Sequence, residues 1–236
     1  MASRNQFSKG NRLLSSLTSE DLGLLTPFLE EVSLPVRTNL ESPNKPIDYV
    51  HFMESGFASV VGIANGTRCE VGIVGCEGMT GQAVLHGADQ SPYSTYIQLA
   101  GSSRRIATAK LKAALSASHS LHNSLLKGIQ CFCIQTGHTA IANGRADIPQ
   151  RLARWLLMAH DRTAGNEMAL THDFLSLMLS VRRAGVTEAI GNLKADGLID
   201  TFRGGVVMVD RKGVEKIAAA FYGTPEKEQR RLFAAN

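Results

Sequence analysis

The chain has 236 residues, 44% hydrophobic and 19% charged, an ordinary globular balance with length for two modest domains. Its net charge of +4 and pI near 9.0 are compatible with nucleic acid without demanding it. No apolar run reaches the length of a membrane span, and MASRNQFSKGNR at the N-terminus lacks the apolar core of a signal peptide, so a cytoplasmic protein with no membrane partner is expected.

The four cysteines, Cys69, Cys76, Cys131 and Cys133, form no CxxC pair and have no histidine at zinc-finger spacing. Free thiols are expected, and no metal site.

Residues 1–10 are polar and expected to fray. Residues 11–29 read as helical, with Leu13, Leu14 and Leu17 before a fresh start at Thr18, and Leu22, Leu24, Leu25, Phe28 and Leu29 after it. From 31 to about 105 the signature changes to short apolar runs separated by turn residues, among them Glu54-Ser55-Gly56 and Asn65-Gly66. Asn-Gly between two alternating runs is a strong hairpin signal. Strands at this spacing point to a small antiparallel barrel or jelly roll.

A short helix is expected over 109–117 and a long one from 119 to about 144. On the long helix Leu125, Ile129, Phe132, Thr136 and Thr139 recur alternately four and three apart, the seam along which a second helix packs. A dimer contact is the preferred use of this seam, and burial within one chain is the alternative. Residues 143–147 form the natural hinge, Pro149 opens the next helix at a first-turn position, and 162–168 read as a loop. This gives a sensor roll over 11–117, a dimerisation helix and hinge over 118–147, and a C-terminal domain over 148–222.

The C-terminal domain is organised around 171–198, THDFLSLMLSVRRAGVTEAIGNLKADGL. Thr171 can cap a first helix whose inner face is Leu175, Met178 and Leu179, with small Ser176 where two helices would cross. A second helix starts near Arg182 with Val186, Ala189, Ile190 and Leu193 inward, and Gly197 closes it. This is a helix-turn-helix pattern. Its outward residues are Arg182, Arg183, Thr187, Glu188 and Asn192. Arginine can grip guanine bidentately, glutamate can accept from cytosine, and asparagine can pair with adenine. An ordinary helical hairpin with a solvated polar face is the competing reading. Downstream, a strand from Leu198, a turn at Arg203-Gly204-Gly205, a return strand through Val209 and a helix capped by Asp210 complete a winged helix-turn-helix. Arg203 at the wing tip would meet phosphate, with a solvated turn residue as the competing reading.

The ordered set ESGFASVVG (54–62), IPQRLARWLLMAHDR (148–162), LTHDFLSLMLSVRRAGVTEAIGNLKADGLID (170–200) and RGGVVMVDRKGVEKIAA (203–219) resembles the Crp/Fnr family of bacterial transcription regulators, over about residues 11–222. The resemblance implies an α+β chain: an N-terminal antiparallel, jelly-roll-like β-roll, a long dimerisation helix, and a C-terminal winged helix-turn-helix. It implies a homodimer on palindromic double-stranded DNA, with RNA polymerase as a candidate further partner. Thr171 and His172 fall at the phosphate-contacting start of the first helix, and Arg183, Ala184, Thr187 and Glu188 at the base-reading positions. Better-known members carry Glu where Ala184 stands and Arg where Glu188 stands, so their operator is not implied here.

The sensor departs further. Members that bind cyclic nucleotide use a Gly-Glu pair before a short helix and an Arg-Ser pair after it. Here the first pair aligns with Gly81-Gln82, followed by Ala83, and the second with Pro92-Tyr93, with no arginine nearer than Arg104. A phosphate needs a compensating cation or helix terminus. The expected effector pocket is thus Gly81, Gln82, Ala83 and Tyr93, with no cofactor and no tight cAMP binding. His51 and His86 are read as structural or exposed rather than as haem ligands, and they lack the clustering that a metal-dependent jelly-roll enzyme needs. A cyclic-nucleotide-type module acting through protein contacts is the remaining alternative.

Overall fold

The computed structural model describes residues 10–233. The frayed N-terminus expected over 1–10 lies, but for its last residue, outside the described residues.

The chain opens with two short helices, α1 (Arg12–Ser15) and α2 (Ser19–Leu25), then a single 3-10 turn (Thr26–Phe28), rather than one helix through residue 29. Thr18 caps α2 by accepting from the Asp21 amide, which is why the helix restarts there. Five antiparallel strands follow: β1 (Glu30–Leu34), β2 (Asn39–Glu41), β3 (Tyr49–Ala64), β4 (Thr67–Val74) and β5 (Ser94–Ala107). They are ordered β1-β5-β3-β4, with β2 also on β5. Isolated bridges from Pro46 to Gln90 and from Phe52 to Met79 help close the roll.

Asn65 and Gly66 turn the β3–β4 hairpin, both at positive φ. The Glu54-Ser55-Gly56 signal is not a turn. β3 runs straight through it as a bulge against β5, because Gly56 and Gly101 let the two backbones touch. A Cβ on Gly56 would sit 2.3 Å from the Leu99 carbonyl oxygen, and one on Gly101 would sit 2.1 Å from that of Ser55.

Helix α3 (Thr108–Ala117) leads into α4 (His119–Arg145), whose N-cap Ser118 also donates to the buried Asp21 carboxylate. A capping box between Asp147 and Gln150 starts α5 (Ile148–His160). The expected loop over 162–168 contains a short strand, β6 (Glu167–Met168), paired with β8 (Gly205–Met208), itself paired with β7 (Ile199–Phe202). Between them lie α6 (His172–Leu179) and α7 (Arg183–Ala195). Helix α8 (Arg211–Ala218) follows, but Asp210 makes no side-chain capping bond to it. A last helix, α9 (Thr224–Phe233), lies beyond the expected domain limit of 222, with Phe233 packed on the N-terminal core.

The largest core is built around α5. Leu152, Trp155, Leu156 and Ala159 are buried, as are Ala153, Leu157 and Met158, so this helix is enclosed rather than one-sided. Each fully buried large apolar side chain contributes roughly 1.5–3 kcal/mol. The cluster takes Phe57, Val61 and Ile73 from the β-roll and Leu175, Val186, Ile190, Val206 and Met208 from the C-terminal unit. Trp155 is at its centre, edge-on to Phe57 at 6.2 Å and to Phe174 at 5.4 Å.

The long helix faces opposite to the expected way. Leu125 is 0% and Ile129 4% exposed within the single chain, both in the core of the roll, and Phe132 packs against a neighbouring cluster made of Leu34, Met53, Ala58, Val60, Val74 and Ile97. Thr136 is likewise turned inward, lining a cavity in the roll. The apolar repeat belongs to the β-roll because β4 lies under it. Gln135 clamps that strand, accepting from the Ile73 amide at 2.7 Å and donating to its carbonyl at 3.2 Å.

Candidate nucleic-acid interface and sensor cavity

Helices α6 and α7 meet through a tight turn in which Ser180 adopts the left-handed conformation at φ +51°. Thr171 accepts from the Phe174 amide, as an N-cap should. Leu175, Met178 and Leu179 face inward from α6, and Val186, Ala189, Ile190 and Leu193 from α7. Ser176 does not serve the crossing; its hydroxyl donates back to the Asp173 carbonyl. The small residue that matters on α7 is Gly185, and it faces α5: a Cβ there would come 3.0 Å from the Ile148 side chain.

The opposite face of α7 is open. Arg182, Arg183, Ala184, Thr187, Glu188 and Asn192 are all exposed, and Arg182 is the N-cap residue, so both arginines stand at the helix start. Two contacts order this face. Arg183 Nε lies 3.1 Å from Asp173 Oδ1, an exposed pair that holds the guanidinium only weakly. His172 Nδ1 and Thr187 Oγ1 are 3.0 Å apart, and Thr187 donates to the Arg183 carbonyl. Thr171, His172, Arg183 and Thr187 are thus brought together on one surface.

Gly197, at φ +69°, ends α7 and passes the chain to the wing. Lys194 ties α7 to the wing through Asp200 at 2.7 Å and Thr201 at 3.1 Å. Arg203 is exposed at the β7–β8 turn, and the Phe202 ring covers Gly205, where a Cβ would be 2.0 Å away.

In the roll, a cavity of about 480 Å³ opens beneath the 3-10 turn Gln82–His86. Gln82, Ala83 and Tyr93 are among the residues that line it. Gly81 stands behind the wall at φ +67°, its amide donating to Glu41 Oε1 at 2.9 Å. Several lining residues escaped the sequence reading. Glu41, on β2, is buried with its carboxyl pushed above the usual range by desolvation, partly offset by bonds from Gly81 and Thr95. Ile129, Phe132 and Thr136 of α4, expected at a dimer contact, form another wall. Nothing local in the sequence marks Glu41, forty positions from Gly81. His51 lies elsewhere, buried beside Ser103 with its ring pushed down to about 4 by burial and by Arg105, which suits a neutral core histidine. Cys69, Cys76, Cys131 and Cys133 are free.

The roll and the winged unit are joined by buried polar contacts. Glu70, fully buried on β4, accepts from the Trp155 indole N–H and from the Ser59 hydroxyl, each at 2.6 Å. Burial pushes its carboxyl up to about 7 against those bonds. Arg162 meets Glu77 at 2.6 Å, with both side chains nearly enclosed. Sequence reading missed the Glu70–Trp155 and Glu77–Arg162 pairs, since the members of each are 85 residues apart in the chain.

No helix among the described residues is long and apolar enough to cross a membrane. The profile of the Crp-like helix-turn-helix domain matches residues 150–217. No curated protein is a match in sequence. Solved structures share the fold over almost their whole length. One, described as a transcriptional regulator of the Crp/Fnr family from Eubacterium rectale, is 16% identical, with 87% of this chain and 97% of that one covered and a TM-score of 0.69. FixK2 of Bradyrhizobium japonicum is 17% identical over 81% of this chain and 98% of its own, also at 0.69. The c-di-GMP responsive global regulator CLP of Xanthomonas campestris is 17% identical over 81% and 99%, at 0.64. The chain has the Crp/Fnr-type fold of DNA-binding transcriptional regulators, with a Crp-like helix-turn-helix domain at residues 150–217.

Proposed function

We propose that this protein is a homodimeric transcription regulator of the cytoplasm that binds palindromic double-stranded DNA through α7 and is gated through the β-roll. The observation that carries this is the open face of α7, with Arg182 and Arg183 at its start, inside a Crp-like domain. In this reading Arg183, Thr187 and Glu188 meet base edges, with Asn192 further along the helix. Thr171, His172 and Arg203 meet phosphates. Ala184 offers no hydrogen bond, only a methyl group that suits the thymine methyl. RNA polymerase is the partner through which such a dimer would act on transcription.

The partner contact is assigned to the outward face of α4. Gln130, Gly137, Ala140, Ile141 and Gly144 are exposed there on one face, and Ile141 is 51% exposed. The small residues allow close helix approach. Two such domains about 34 Å apart would reach successive major grooves. The roll cavity is read as the effector site, without tight cAMP binding.

The test is a gel shift on the protein's own promoter region across a salt series. Affinity should fall steeply with salt as Lys and Arg release counterions, and the footprint should be palindromic. A monomer indifferent to any duplex at low ionic strength would end this reading.

A further inference from the structure

The β-roll cavity carries its own statement about ligand chemistry, and it rests on reading that cavity as the effector site. We propose that it takes an uncharged, largely apolar small molecule bearing a hydrogen-bond donor, and not a phosphorylated nucleotide.

Size comes first. About 480 Å³ is the space of roughly sixteen water molecules at about 30 Å³ each, enough for a small bicyclic or tricyclic molecule. The wall is chiefly apolar, with Val60, Val71, Val74, Ala83, Ile129 and Phe132. Among the described residues lining it there is no Lys or Arg. The one carboxylate is buried Glu41. An anion would therefore be desolvated beside a carboxyl group with no compensating cation, the costliest arrangement available to it. An N–H or O–H on an uncharged ligand meets an acceptor in Glu41 instead.

Thr136 of α4 lines the cavity as well. Its Oγ1 is buried with no hydrogen-bond partner among the described residues. Its neighbour Thr139 donates to the carbonyl four residues back, at 2.9 Å from Gln135, as helical threonines commonly do. The Thr136 Oγ1 is closed off even to a water molecule, so this residue serves as wall and the polar anchor of the cavity is Glu41. His86, Gln90, Pro92 and Tyr93 are exposed and form the rim, while Glu41, Val74, Thr80, Thr95 and Ile129 are the buried floor. Ile129, Phe132 and Thr136 place the ligand directly against α4.

The experiment uses two fluorescent probes on the full chain that share one skeleton. N-phenyl-1-naphthylamine is uncharged with one N–H, and 8-anilino-1-naphthalenesulfonate adds a sulfonate. The amine should bind saturably at one per chain, and the sulfonate at least about tenfold more weakly. Ala83→Phe and Val71→Phe, on different walls, should each abolish amine binding with the thermal midpoint retained. Equal affinity for the two probes, or amine binding indifferent to both filling variants, overturns the proposal. The two readings separate in a gel shift at saturating amine. Cavity-dependent binding that leaves DNA affinity unchanged supports the ligand class while removing gating, and DNA binding with no amine uptake overturns the ligand class alone.

Discussion

The indole N–H of Trp155 on α5 donates to Glu70 on β4 at 2.6 Å, across the join between the roll and the winged unit. It is the chain's one tryptophan, so its emission reports on that carboxyl group. Glu70 in the folded chain is raised from 4.5 to about 7 by burial, so the folded state holds a proton that the unfolded state has lost between those values. Stability supplied by the protonated group is complete below about 4.5 and declines as pH rises to about 7. Tryptophan emission should titrate near neutrality and be flat in Glu70→Gln. That variant should gain on the order of 2 kcal/mol over the parent at pH 8 relative to pH 4 in urea melts. A pH-independent difference between the two proteins would refute the assignment.

Arg183→Ala should cost roughly 1–3 kcal/mol of discrimination between operator and mismatched duplex. Arg203→Ala should weaken all duplexes alike and flatten the salt slope. Competition gel shifts measure both. Sequence preference intact in Arg183→Ala would place the base-reading register elsewhere on α7.

The two faces of α4 make opposite predictions. Ile141→Glu and Gly137→Glu, on the outward face, should yield folded monomers by sedimentation. Leu125→Ala, on the buried face, should cost about 2–5 kcal/mol of stability through the cavity it leaves. Dimerisation untouched by both outward changes would move the contact off this helix.

Gly56→Ala should destabilise the fold by more than about 1 kcal/mol, since it combines positive φ with a backbone clash at 2.3 Å. Gly23→Ala in α2, where an added Cβ meets nothing within 4 Å, should be neutral or slightly stabilising. Thermal denaturation of the pair tests whether the β3–β5 crossing is as tight as described.

Much of this protein could be read locally. The Asn65-Gly66 hairpin, the Thr171 cap, the inner stripe of α7 and Gly197 at its end are short-range devices, each decided by residues within about one helical turn of one another. What needed the assembled chain were relationships between distant segments. The seam of Leu125, Ile129, Phe132 and Thr136 has the same spacing whether it faces a partner or its own roll, and only the position of β4 assigns it inward. Glu54-Ser55-Gly56 has turn composition, yet Gly101, forty-five residues on, makes it a bulge in a continuous strand. Glu41 reaches the cavity floor, and Glu70 meets Trp155, because the roll closes. Periodicity and capping act over a few residues, whereas burial depends on what the rest of the chain lays on top.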